Sequence, residues 1–285
     1  MSPNQKKYLY KKKKEKILVI FFQITIIVFL IGIWEFLATN GYINEFIFSK
    51  PSNILKTIIN LYKNFNLINH IFTTLYEVII AFVLGIFLGF LVALLLYSFK
   101  LLAKIIEPFL TMLNSLPKVA LGPIIIIWVG ANLKSIIVMA LLINLIISII
   151  TIYNGFIQTD KNKIKLLESF NANKLDIIKK LVIPNSLVTI ISSLKLNISM
   201  SLIGVIMGEF LVSKSGIGYL IIYGTQIFNL NIVMSGVIIL IIISYILYKI
   251  ISIIENKPLK SINTFYGVFL FKLYMLNKKN CSLNS

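Results

Sequence analysis

Arginine is missing from this chain altogether, and all 28 of its basic residues are lysines. Histidine occurs once, at His70, and cysteine once, at Cys281. A lone cysteine cannot close a disulfide within the chain, and one thiol with one imidazole cannot build a Cys/His metal site. The ten acidic residues show no pairing at helical spacing inside an apolar run. No GxxxxGK[ST] loop is present to hold a nucleotide, and no His/Cys/Asp/Glu cluster has the spacing of metal ligands. What is scarce is convergent polarity, the usual basis of an active site. The chain therefore reads as a non-enzyme with no catalytic residue, no metal and no cofactor.

Apolar sequence, by contrast, is abundant. At 58% hydrophobic over 285 residues, the composition is that of an integral membrane protein. A net charge of +18 could suit a nucleic-acid binder, but such proteins gather base- and phosphate-contacting groups on one face. Here the lysines sit between apolar runs, where they orient membrane helices, so no nucleic-acid partner is expected. The runs cover residues 17–39, 72–97, 119–129, 133–153, 187–212 and 232–254. A helix needs about 20 residues to cross the hydrocarbon core. The third run is too short alone. It must borrow residues before Pro117, or continue as a helix broken at Pro117 and Pro123. The first run follows KKKKEK at residues 11–16, is too long for a signal-peptide core and lacks a small-x-small cleavage site. It reads as an uncleaved span.

Orientation follows from the lysines. With the N-terminus inside, the inner segments carry 21 and the outer segments 5. The expectation is an all-α protein with six transmembrane helices, multi-pass in the cell membrane and in contact with its lipid, both termini cytoplasmic. Residues 1–16 form a basic tail, 17–255 the transmembrane domain, and 256–285 a cytoplasmic or interfacial tail. Within that tail, the apolar patch at residues 265–276 is too short to span. Outside, Pro51 with Ile54, Leu55, Ile58, Ile59 and Leu61 predicts a short interfacial helix.

The connection over residues 155–185 is far longer than a hairpin between helices requires. Leu166, Leu167, Phe170, Leu175, Ile178 and Leu181 recur at spacings of about three to four, predicting an amphipathic helix with its apolar residues on one side. A segment of this kind on the cytoplasmic face suits a soluble partner. Three charges fall in or at the ends of apolar runs. Glu77 and Glu209 lie near the outer ends of the second and fifth, and Lys195 toward the inner end of the fifth, where snorkelling is its simplest reading. Gly85/Gly89 and Gly204/Gly208 form small-xxx-small pairs suited to close packing within the chain. Asn144, Asn197, Ser199 and Ser201 either line a pathway or bond neighbouring helices. His70 reads as an interfacial polar residue. The segment SKSGIG at residues 213–218 must turn tightly, with Glu209 one helical turn before it.

The order of these pieces resembles the permease subunit of a binding-protein-dependent ABC importer of the nitrate/sulfonate/taurine type. FSKPSNI after the first span, PFLTMLNSLPKVALGPIIIIWVG at residues 108–130, ANKLDIIKKLVIP at residues 172–184 and GEFLVSKSGIGYLI at residues 208–221 all look like that family's segments. The family's cytoplasmic EAA motif is altered. Lys165, Leu166 and Leu167 occupy the EAA positions, Glu168 lies just past them, and Asn171 stands where the family has Gly. Asn is the non-Gly residue that best accepts a left-handed turn. The resemblance implies a type I ABC importer permease (MetI-like) fold, a second permease copy as a homodimer, cytoplasmic ABC ATPase subunits and an extracytoplasmic substrate-binding protein. It also implies that Glu168, Phe170, Asn171, Ala172, Asn173, Lys174, Leu175 and Pro184 couple to the ATPase, with Glu209, Gly216 and Gly218 shaping the external mouth. The expected cargo is a small anion of the nitrate, sulfonate or taurine kind, or a vitamin precursor. An ATP-independent secondary transporter or channel is the alternative, and a membrane-embedded enzyme lacks its residues.

Overall fold

The computed structural model describes residues 3–281, with side chains described at residue 5 and from residue 8 to residue 255. Its elements are helical throughout: α1 (Pro3–Thr39), α2 (Glu45–Phe48), α3 (Pro51–Asn64), α4 (Leu67–Ser98), α5 (Lys100–Ser115), α6 (Gly122–Val129), α7 (Leu133–Ile157), α8 (Lys161–Ser169), α9 (Lys174–Ile177), α10 (Ile183–Val212), α11 (Ile217–Gln226) and α12 (Leu230–Cys281). A short 3₁₀ turn, Lys118–Leu121, precedes α6, and one π turn, Ile178–Val182, joins α9 to α10. Among the described residues, five helical stretches are long and apolar enough to cross a membrane. Two further helices, Lys100–Ser115 and Lys118–Val129, are apolar enough only as a pair, bent by 90° at their junction, and make a sixth crossing when counted as one span. The bend falls at Leu116 and Pro117, because the residue before a proline is driven out of helical conformation. Pro123 does not break the chain. It sits in the first turn of α6, where its missing N–H costs nothing. The basic segment at residues 1–16 is not a separate tail in backbone terms, since α1 runs through it from Pro3.

The chain divides into two compact units. One runs through Ile68 and adds Leu220–Ile238. In it, α3 begins at Pro51 and buries Ile54 and Leu61, two of the apolar positions the sequence assigned to an interfacial helix. Glu35, near the end of α1, accepts from the Ser52 N–H at 3.0 Å and the Ser52 hydroxyl at 2.8 Å, supplying a carboxylate to the first turn of α3. The buried Ser49 hydroxyl donates to Asn231 Oδ1 at 2.5 Å, which ties this segment to α12.

The second unit comprises Asn69–Tyr219 and continues from Ile239. Its axis is the antiparallel pair α7/α10. A Cβ on Gly204 would lie 2.5 Å from Ala140 Cα, and one on Gly208 2.8 Å from an Ile136 methyl, so only glycine lets these backbones approach. The parallel pair α4/α7 packs the same way, with Gly85 against Asn144 and Gly89 against Ser148. Asn144 uses that proximity, donating its amide to the Ala81 and Phe82 carbonyls at 3.3 and 3.4 Å. Ser199 and Ser201 bond back to their own helix at Lys195 and Asn197, so neither reaches a neighbouring helix through its hydroxyl. Asn197 is fully buried, and neither of its side-chain polar atoms has a partner among the described residues. Lys195 does more than snorkel. It pairs with Glu255 of α12 and lies 5.2 Å from the centre of the Tyr248 ring.

Candidate functional site

The long connection after α7 folds into two short helices around one left-handed residue. Asp160 caps α8 by accepting from Asn162 N–H at 2.8 Å. Asn171 ends that helix at φ 55°, and the Ala172 N–H returns to the Leu167 carbonyl at 3.1 Å. This closure satisfies the last carbonyls of α8 and sends the chain back along α9. The apolar residues consequently separate into two sets, and the single stripe read from the sequence does not form. Ile164, Leu167, Ala172, Ile177 and Val182 pack into a core built by Ala93, Ile152 and Phe156, where Phe90 and Tyr97 meet the Phe156 ring edge-on at 5.9 and 5.7 Å. Leu166, Phe170 and Leu175 point away from it and are 55, 73 and 67% exposed. The reason is geometric: helical periodicity carries a stripe along one axis, and the turn at Asn171 changes the axis.

Each residue expected to couple can now be placed. Glu168, Asn171 and Asn173 are exposed on the same stretch as Phe170 and Leu175. Ala172 and Pro184 are half-buried. Lys174 turns back instead, donating to the Ser98 carbonyl at the end of α4 and lying 5.9 Å from the Phe99 ring centre. That contact puts a cation on the carbonyl end of α4, where the helix dipole favours it. Beyond it, Asp176 and Lys180 form an exposed i,i+4 pair at 2.9 Å. The π turn follows, with the Ile183 N–H reaching the Ile178 carbonyl just ahead of Pro184, which has no N–H to give.

A second constellation lies at the opposite end of α4 and α10. Thr74 Oγ1 donates to Glu209 Oε1 at 2.6 Å and accepts from the Ile217 N–H at 2.9 Å. Glu209 Oε2 accepts from the Gly218 N–H at 2.5 Å, and His70 Nδ1 accepts from the Gly216 N–H at 3.0 Å. Three successive amides of the turn before α11 are thus each taken by a different side chain. Those amides are the orphan donors of a helix start, and a carboxylate there is favourable. Glu77 stands behind, its carboxyl in hydrogen-bond contact with that of Glu209, and both residues are 1% exposed. The His70 ring stacks on Tyr219 at 5.8 Å. Glu209 therefore serves the turn amides, while Lys214 makes no ion pair among the described residues. The sequence singled out Glu209, Gly216 and Gly218 but missed His70 and Thr74 as their partners. Their one local signal is spacing: positions 70, 74 and 77 share a helical face.

The long apolar helices and this compact, apolar-tipped connection define a multi-pass helical membrane protein. The chain belongs to the family described as binding-protein-dependent transport system inner membrane component, whose profile it matches over residues 85–257. An ABC transporter permease protein of Haemophilus influenzae is 29% identical over 220 residues, covering 77% of this chain and 89% of that protein. A Bacillus subtilis protein described as the aliphatic sulfonates transport permease SsuC is 26% identical over 84% of this chain and 86% of its own length. The formylaminopyrimidine transport permease ThiX of Halalkalibacterium halodurans is 25% identical, covering 67% and 75%. A chain of the MetNI methionine ABC transporter, solved in inward-facing conformations, shares the fold with a TM-score of 0.60 at 17% identity, over 70% of this chain and 97% of that one. This protein is accordingly a multi-pass inner-membrane permease of an ABC importer for small solutes, with the all-helical fold of type I importer permeases.

Proposed function

We propose that the permease works as a homodimer with both termini cytoplasmic, receives its solute from an extracytoplasmic binding protein, and is driven through residues 155–185 by ABC ATPase subunits. The observation that carries this reading is the division of the connection into a fixed face and a presented face. Ile164, Leu167 and Ile177 hold it to the membrane helices, while Phe170, at 73% exposure, projects with Leu166 and Leu175. Apolar anchors ringed by polar residues are the usual hot spots of an interface. A partner that grips them moves the connection as one body, and α10 carries the motion into the membrane. Glu209, Gly216 and Gly218 shape the external mouth at the other end of that helix. The names of relatives suggest the cargo: a sulfonate-like anion, as for SsuC, or a heterocyclic vitamin precursor, as for ThiX.

The test is the double substitution Phe170→Asp/Leu175→Asp, with uptake of both cargo classes measured alongside ATPase co-purification. Each buried apolar anchor contributes about 2 kcal/mol or more at a hot spot, so docking should fall at least tenfold while membrane insertion is unchanged. Retained ATPase association together with retained ATP-dependent uptake would remove the connection as the docking element. ATP-independent uptake would instead favour a secondary transporter.

A further inference from the structure

The hydrogen-bond donor in the contact between Gly216 and His70 is a backbone amide, so Nδ1 of His70 must be the acceptor, at 3.0 Å. An imidazole nitrogen can accept only while it carries no proton. The same turn is held next door by Thr74, which accepts from Ile217, and by Glu209, which accepts from Gly218. Neither of those acceptors is lost when an imidazole gains a charge. Gly216 itself sits at φ 112°, with no room for a side chain beside the Glu209 carboxyl, so its amide has little freedom to seek another partner. Tyr219 stacks on the ring at 5.8 Å and fixes its plane.

We propose that His70 is a proton-operated latch on the turn at residues 213–218. With Nδ1 bare, the latch is closed and the turn is drawn against α4. A proton on Nδ1 turns the acceptor into a donor facing a donor, and the Gly216 end of the turn is released. Because the latched form excludes that proton, acidification outside favours release and alkalinisation favours closure. Imidazole is the side chain whose charge ordinarily changes between about pH 5 and pH 8. The other ionisable groups around it are Tyr219 on the ring face, Lys214 in the turn, Glu209 from α10, and Glu77 two turns along α4. The latch rests on the reading of this turn as the external mouth, and the test keeps the two apart.

A nitroxide is attached at Lys214→Cys in a Cys281→Ser background, in the assembled transporter in lipid, and its mobility is followed by electron spin resonance from pH 5 to pH 8. Mobility should rise as pH falls in the chain with His70. In His70→Asn, whose Oδ1 can accept where Nδ1 does but does not titrate, mobility should stay low at every pH. His70→Leu should be mobile throughout. A flat profile with His70 present, or a transition that persists in His70→Asn, overturns the latch and assigns the titration elsewhere. Uptake measured on the same preparations separates the premises: mobility that titrates while uptake does not leaves the latch standing and removes the turn's gating role.

Discussion

At Gly216 two constraints coincide. Its φ of 112° is a backbone conformation that side chains resist, and a Cβ built there would lie 2.3 Å from the Glu209 carboxyl carbon. Val at this position must move either the turn or the buried carboxylate, at a cost of roughly 1 to 3 kcal/mol for the backbone alone. Lys214, two residues earlier, is exposed and unpaired among the described residues, so its loss removes little. Uptake at matched expression should fall severalfold in Gly216→Val and stay near normal in Lys214→Ala; equal, near-normal rates would make this turn an ordinary loop. The local conformational demand was readable in the sequence, because glycine and asparagine announce it wherever they stand. Asn171 in its left-handed conformation belongs to the same kind of residue. His70 could not be read this way. Its partner Gly216 is 146 positions away, and nothing in a one-dimensional pattern brings the two together.

Among the elements, the pair α7/α10 approaches so closely that its glycine positions admit no added atom. Even one methyl at Gly204 would stand 2.5 Å from the Ala140 backbone, whereas a methyl at Gly32 of α1 meets nothing within 4 Å. Gly204→Ala should therefore lower the thermal stability of the solubilised permease by about 1 to 3 kcal/mol, as overpacking does. Gly32→Ala should be neutral or slightly stabilising, since alanine is the better helix former. Calorimetry or thermal inactivation of the two variants side by side tests the contrast, and an unaffected Gly204→Ala would mean that the seam is looser than its geometry. Most elements were legible because an apolar run about 20 residues long has one fate in lipid. The break at Pro117 was legible as a break but not as a 90° bend, since an angle depends on what the two arms pack against. The split of the loop's apolar residues was illegible for a related reason. Periodicity says which residues share a side of one helix, and says nothing once the axis turns.

For the molecule as a whole, the lysine distribution of 21 against 5 sets an expected orientation. Cysteines introduced at Lys163 and Asn173, both exposed, should be labelled by an impermeant reagent only from the cytoplasmic side. Labelling from outside would invert the topology and move the proposed coupling surface and mouth to the wrong compartments together. One feature ties those two ends. From Lys174 through Val212 the chain is a single helical rod of 39 residues, roughly 58 Å long, interrupted only by the π turn. Leu175 near one end and Glu209 near the other are 34 residues apart on it, so their directions around the rod are fixed relative to each other. Removing one residue anywhere between them would swing one by about 100° against the other, turning either Leu175 from its partner or Glu209 from its amides. The rod can thus drift by substitution but not by length. The π turn, which holds one residue more than an α turn, is the single place where such a change of phase could be absorbed.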